Sequence, residues 1–215
     1  MTPSAALALL SALSTLAIAR AQGQGQVNMF ANVGSSGVSA QQLFLGTPTK
    51  LYFIDKTENN TLRSPSGRHP AWATEFDLTT MEARAMEVPT NSFCAGGTVL
   101  GDGRWLNVGG NQAVINNGAG AGDALKTDAD KAAAQAGENE YGDADGRKAV
   151  RILSPDDSGA VEWVDDAKNY MSTERWYPTV ETVEDGSAII FGGCQNGGYV
   201  NDPSQDNPTY EVSLV

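Results

Sequence analysis

The sequence is short of histidine, cysteine and positive charge. One histidine, His69, and two cysteines, Cys94 and Cys194, occur in 215 residues. Two cysteines allow at most one disulfide bridge. Lys and Arg number 14 against 26 Asp and Glu, a net charge of −12. Nucleic-acid binders need clustered cations, so no nucleic-acid partner is expected. Charged residues make up only 19% of the chain and glycines number 24. That balance suits a turn-rich β protein better than a helical one. No run beyond residue 21 is apolar enough to span a bilayer, so no membrane partner is expected. The length gives room for one ordinary domain or a piece of a larger one.

What is present begins with a secretory pattern. Ala5 to Ala19 is a run of small and apolar residues, and Ala19-Arg20-Ala21 offers an A-x-A cleavage site. Residues 1–21 therefore read as a signal peptide, and the protein as secreted and extracellular. Asn59-Asn60-Thr61 is an N-glycosylation sequon, which makes Asn59 a candidate glycosylation site. Two cysteines in a secreted chain ordinarily read as one bridge, here Cys94–Cys194. The repeat described below places them at different points of their strands and argues against that pairing.

Residues 22–50 are mostly Gly, Ser, Gln and Asn in their first part and read as an irregular N-terminal arm. The stretch Ala71 to Leu78 partly alternates apolar and polar, the period-2 pattern of a strand. Asn116 to Asp145 is rich in Gly, Ala and Asp and holds seven acidic residues. It reads as an inserted loop with a solvated charged face, carrying a helical turn or two between Thr127 and Ala136. Strand character resumes at Ala149 to Leu153. Trp163 to Tyr170 reads as irregular, and Asn207 to Glu211 as the start of another strand.

One pattern occurs twice. Phe93-Cys94 is followed by an apolar strand, Asp102-Gly103, a second strand and Gly109-Gly110. Trp176-Tyr177 is followed by the same series through Asp185-Gly186 to Gly192-Gly193. The Asp-Gly pairs are 83 apart (185 − 102), and so are the Gly-Gly pairs and the Cys94 and Tyr177 positions. Asp-Gly between apolar strands is a strong hairpin signal. A period of roughly 50 residues with Gly-Gly after an apolar strand marks kelch-type propeller blades, and the acidic insertion accounts for the longer spacing here. The expected fold class is all-β, a partial kelch-type β-propeller.

Asn91-Ser92-Phe93-Cys94-Ala95-Gly96-Gly97, Arg175-Trp176-Tyr177-Pro178-Thr179 and Gly192-Gly193-Cys194-Gln195-Asn196-Gly197-Gly198 together resemble the N-terminal region of glyoxal oxidases, secreted fungal copper radical oxidases related to galactose oxidase. The resemblance runs from about Leu51 to Glu211. It implies that Cys94 bonds covalently to the ring of Tyr177, and that Tyr177 is a copper ligand reversibly oxidised to a radical. Copper and the Cys94–Tyr177 thioether radical would be the cofactors. Small aldehydes or α-hydroxycarbonyls would be oxidised to acids, with O2 reduced to hydrogen peroxide. The chemistry agrees, because a phenol of pKa about 10 is a poor ligand unless a metal displaces its proton, and copper(II) favours tetragonal N and O ligation.

The resemblance has gaps. The family site also takes a second Tyr and two His, and His69, in Arg68-His69-Pro70, matches none of those motifs and reads as a loop or packing residue. An aromatic that covers the cross-link in galactose oxidases aligns with Gln195. The family fold has seven blades, of which residues 51–215 would supply about two to three. The expectation is thus an incomplete, truncated N-terminal propeller domain, monomeric, inactive alone, and prone to aggregate through open blade faces. The competing reading is a non-catalytic secreted kelch-type module that binds glycans or a protein.

Overall fold

The computed structural model describes residues 32, 34–116, 118–197 and 201–213. The expected signal peptide at 1–21 lies outside the described residues. The described residues are mostly β-sheet with two short α-helices, and every pairing within their sheets is antiparallel. The first sheet is a meander of β1 (Gln42–Leu45), β2 (Lys50–Ile54), β3 (Ala73–Asp77) and β4 (Glu82–Met86).

The second sheet opens with the hairpin of β5 (Gly96–Val99) and β6 (Trp105–Val108). The acidic insertion follows, with the ribbon of β7 (Val114–Ile115) and β8 (Ala119–Gly120), then α1 (Ala121–Ala124) and α2 (Asp128–Gln135). Thr127 caps α2 by accepting from the Asp130 N–H at 3.1 Å, where the sequence predicts helical turns. β9 (Val150–Leu153) and β10 (Val164–Asp165) then complete the order β5-β6-β9-β10. The third sheet is β11 (Thr179–Thr182), β12 (Ala188–Phe191) and β13 (Tyr210–Ser213).

The central strands of the second sheet, β6 and β9, are buried on both faces, and their side chains alternate accordingly. Trp105 and Leu153 face the first sheet, packing with Tyr52, Ile54, Trp72, Met86 and Trp163. Leu106, Val108 and Val150 face the third, with Val180, Ala188 and Ile190. At this second junction β5 and β11 lie side by side, joined by the Thr98 and Thr182 hydroxyls at 2.9 Å. The outward faces keep apolar side chains in solvent: Leu43 and Leu45 on the first sheet, Phe191 and Tyr210 on the third.

Three expectations need correction. Part of the arm expected to be irregular is β1, paired with β2 from Gln42↔Ile54 to Leu45↔Leu51. Trp163 to Tyr170 holds β10 and a 3₁₀ turn, Ala167–Asn169. The acidic insertion is not one solvated face, because Asp143 is wholly buried.

The strand starts share an unusual backbone. Ala40, Cys94 and Tyr177 have φ of 58°, 59° and 59°, and each stands two residues before β1, β5 or β11. Non-glycine residues avoid this left-handed region, so three in one register mark a repeated turn. The Gly-Gly pairs follow from close packing. A Cβ at Gly109 would lie 2.3 Å from the Arg175 carbonyl oxygen, and one at Gly110 2.2 Å from that of Asn91. Gly110 also has φ 133°. We expect Gly110→Ala to cost roughly 2–4 kcal/mol in urea unfolding. A loss under about 0.5 kcal/mol would mean the Asn91 turn yields without penalty.

Candidate functional site

Cys94 is delivered by a turn that is fixed at both ends. Asn91 Oδ1 accepts from the Phe93 N–H at 3.0 Å, and the Ala95 N–H reaches the Ser92 carbonyl at 3.0 Å. Asn91 Nδ2 donates to the Gln112 carbonyl at 2.9 Å and to Asp143 Oδ2 at 3.0 Å. The buried guanidinium of Arg151 donates to the Asn91 carbonyl at 3.2 Å and to the Gly109 carbonyl at 2.7 Å. These bonds use the polar groups of Asn91 inside a dry interior, where unpaired ones are costly.

Tyr177 is delivered by a second anchored turn. Arg175 is fully buried and donates to Glu211 Oε1 at 3.0 Å, to the Gly192 and Thr209 carbonyls at 2.8 and 3.1 Å, and to Thr209 Oγ1 at 2.8 Å. Trp176 and Cys194 exchange backbone hydrogen bonds of 2.7 and 2.6 Å. The Tyr177 N–H then donates to the Cys94 carbonyl at 2.9 Å, which joins the two turns directly.

The side chains meet as well. Cys94 is buried at 1% exposure and Tyr177 is 53% exposed, and the phenol lies near enough to the thiol for each to shift the other's proton affinity. Burial pushes the Cys94 thiol above its usual pKa, and the Tyr177 hydroxyl, the Gln41 amide and the Trp176 indole pull it part of the way back. The polar interaction with Cys94, followed by the charge of its thiolate and by burial, raises the Tyr177 phenol. Both groups therefore stay protonated near neutral pH. The Trp176 ring meets the Tyr177 ring edge to face, centroids 4.3 Å apart. Its indole N–H lies beside the sulfur but outside hydrogen-bonding geometry, and is left buried without a partner among the described residues. A buried thiol beside a half-exposed phenol suits oxidative coupling of the two.

No protein-family model matches the chain. A WSC domain-containing protein of Arthroderma benhamiae is 32% identical over 138 residues, 60% of this chain and 11% of that protein. Aldehyde oxidase GLOX of Vitis pseudoreticulata is 28% identical over 119 residues, 55% of this chain and 17% of that protein. The chain spans less than a fifth of the length of these curated relatives. A solved structure described as a novel fungal alcohol oxidase with catalytic diversity among the AA5 family, in complex with copper, superposes with a TM-score of 0.49 at 15% identity, covering 84% of this chain and 31% of its own. The chain is thus distantly similar in sequence to an aldehyde oxidase of the glyoxal oxidase kind.

The structure brings Cys94 and Tyr177 together and keeps the other candidates apart. Both cysteines are free. His69 stacks on Trp72 with centroids 4.4 Å apart, and its ring nitrogens meet the Pro70 carbonyl and Glu87 at 2.8 and 2.9 Å. It packs against the Trp72 ring, one of the two roles, loop or packing, that the sequence suggests. Asn59 is exposed on a turn with φ 61°. No group of three or more His, Cys, Asp or Glu able to hold a metal ion occurs among the described residues. Sequence reasoning did not reach the buried supports Arg151 and Asp143, nor Glu211 and Gln41. Arg175 stood in a quoted motif, but no signal showed that it anchors rather than reacts.

Proposed function

We propose that this chain is the part of a secreted copper radical oxidase, of the glyoxal oxidase kind, that carries the cross-linkable Cys94–Tyr177 pair. The observation that carries the reading is that pair: two residues 83 apart, in the same left-handed backbone conformation, joined through the main chain with their side chains as neighbours. Sheets laid side by side with matching turns before β1, β5 and β11 support an arc of propeller blades as the scaffold. The whole protein would oxidise small aldehydes or α-hydroxycarbonyls to acids and pass the electrons to O2, giving hydrogen peroxide. Of the copper donors, the described residues offer the Tyr177 phenol. They do not by themselves form a copper site, which takes further nitrogen and oxygen ligands.

Coupling of the pair removes the thiol hydrogen and one ring hydrogen and forms a sulfur–carbon bond. Two electrons and two protons leave to O2, which becomes hydrogen peroxide. The test is a thiol count on the unfolded protein without reductant, after aerobic incubation with cupric ion. One thiol, with an intact mass lower by two hydrogens and a reduction-resistant link between the Cys94 and Tyr177 peptides, is the expected result. Two thiols and an unchanged mass would leave the glycan- or protein-binding module as the better account. No thiol would mean a Cys94–Cys194 bridge.

A further inference from the structure

The residue just before β1 reaches the Cys94–Tyr177 site with its side chain. Gln41 stands between the left-handed Ala40, φ 58°, and the first residue of β1. Its Oε1 accepts from the Cys94 backbone N–H at 2.7 Å, and its Nε2 donates to Cys94 Sγ at 3.1 Å. Both ends of one amide are spent on a single residue 53 positions away. Gln41 itself is solvent-exposed, and an exposed amide is ordinarily left to water. The neighbouring Gln42 supports the same turn, since its Nε2 donates to the Ala95 carbonyl and its Oε1 accepts from Asn107 Nδ2 at 2.9 Å. The sulfur therefore has Gln41 as a hydrogen-bond donor and Tyr177 as a neighbour.

We propose that Gln41 is a positioning residue for the Cys94–Tyr177 pair: it fixes the Cys94 backbone through the N–H and holds the sulfur against the phenol. The proposal rests on the reading of that pair as one to be coupled, and adds that the first sheet takes part in the site. Both hydrogen bonds of the Gln41 amide go to Cys94, so its effect is on geometry, where a displacement of an ångström lowers rates by orders of magnitude.

The test uses the full chain with Cys194→Ser, so that Cys94 is the one thiol. Gln41→Met keeps the bulk and removes both hydrogen bonds. Gln41→Glu keeps the acceptor for the Cys94 N–H and removes the donor to sulfur. Without oxidant, we expect iodoacetamide to label Cys94 in folded Gln41→Met about tenfold faster than in the parent, the loss of two ordinary hydrogen bonds. With cupric ion and air, we expect both variants to form the thioether at least about tenfold more slowly, while Gln41→Glu keeps the parent's melting temperature. Labelling of Gln41→Met at the parent's rate overturns the proposal, and so does Gln41→Glu that couples as fast as the parent. If the parent forms no thioether, the oxidase reading fails, and the labelling rate still decides the role of Gln41.

Discussion

Arg175→Met is expected to lose about 3–5 kcal/mol of stability and to loosen the third sheet from the second. The guanidinium donates to Glu211, the Gly192 carbonyl, the Thr209 carbonyl and the Thr209 hydroxyl from a site with no solvent exposure. A thioether side chain fills the space and satisfies none of them. Urea unfolding of the variant measures the loss, and a drop below about 1 kcal/mol would show that the loop 192–211 re-pairs on its own. The same change should separate Tyr177 from Cys94, because Arg175 is two residues before Tyr177 and its carbonyl holds the Gly110 N–H at 3.0 Å. Faster labelling of Cys94 in the folded variant is the companion readout.

Glu211 gives this anchor a pH dependence of known sign. Burial alone raises its carboxyl, and hydrogen bonds from Thr173, Ser172 and Arg175 outweigh that and hold it at about 2. The ordinary value is about 4.3, so the folded protein binds this proton more weakly than the unfolded chain does. The contribution is present above pH about 4.3 and is lost as pH falls through about 2. Glu211→Gln should remove the acid-side loss assigned to this group and bring the two stability curves together at low pH.

The sequence made the Cys94–Tyr177 pair legible because the pair obeys a register. Asp102-Gly103 and Asp185-Gly186 fix two hairpins, and the offset between them carries Cys94 onto Tyr177. The all-β class was legible for the same reason: Asp-Gly and Gly-Gly mark turns and close approaches that local chemistry dictates. β1 was hidden because a strand of four residues after a Gly-, Ser- and Gln-rich arm has no local signature. Its existence depends on pairing with β2 and on two glutamine side chains reaching Cys94 and Ala95. The supports were hidden for a related reason. Asp143 and Asp128 look alike in a charge run, yet Asp143 is buried and Asp128 is exposed. What separates them is a side chain 52 residues back, Asn91 Nδ2.

Asp143→Asn is expected to stabilise the protein at pH 8 by about 2–4 kcal/mol and to leave it little changed at pH 4. Burial raises the Asp143 carboxyl to about 7, against the pull of the Val114 N–H and the Asn91 amide, and the nearby charge of Glu58 raises it further. Its ordinary value is about 3.9, so folding takes up a proton between those limits. Sign follows directly: the stability tied to this proton is complete below pH about 3.9, declines as pH rises, and is gone above about 7. Asparagine never ionises, so the decline vanishes in the variant. The hydrogen bonds survive the exchange, because the Asn91 amide at 3.0 Å and the Val114 N–H at 3.1 Å share Oδ2, where the asparagine carbonyl can stand. Urea unfolding of wild type and variant at pH 4 and pH 8 makes the comparison. Equal pH slopes would show that Asp143 ionises in place without penalty, and that the insertion meets the Cys94 turn through a solvated contact. A slope confined to wild type would make the acidic insertion a pH-dependent brace of that turn, acting through Asn91 three residues before the thiol.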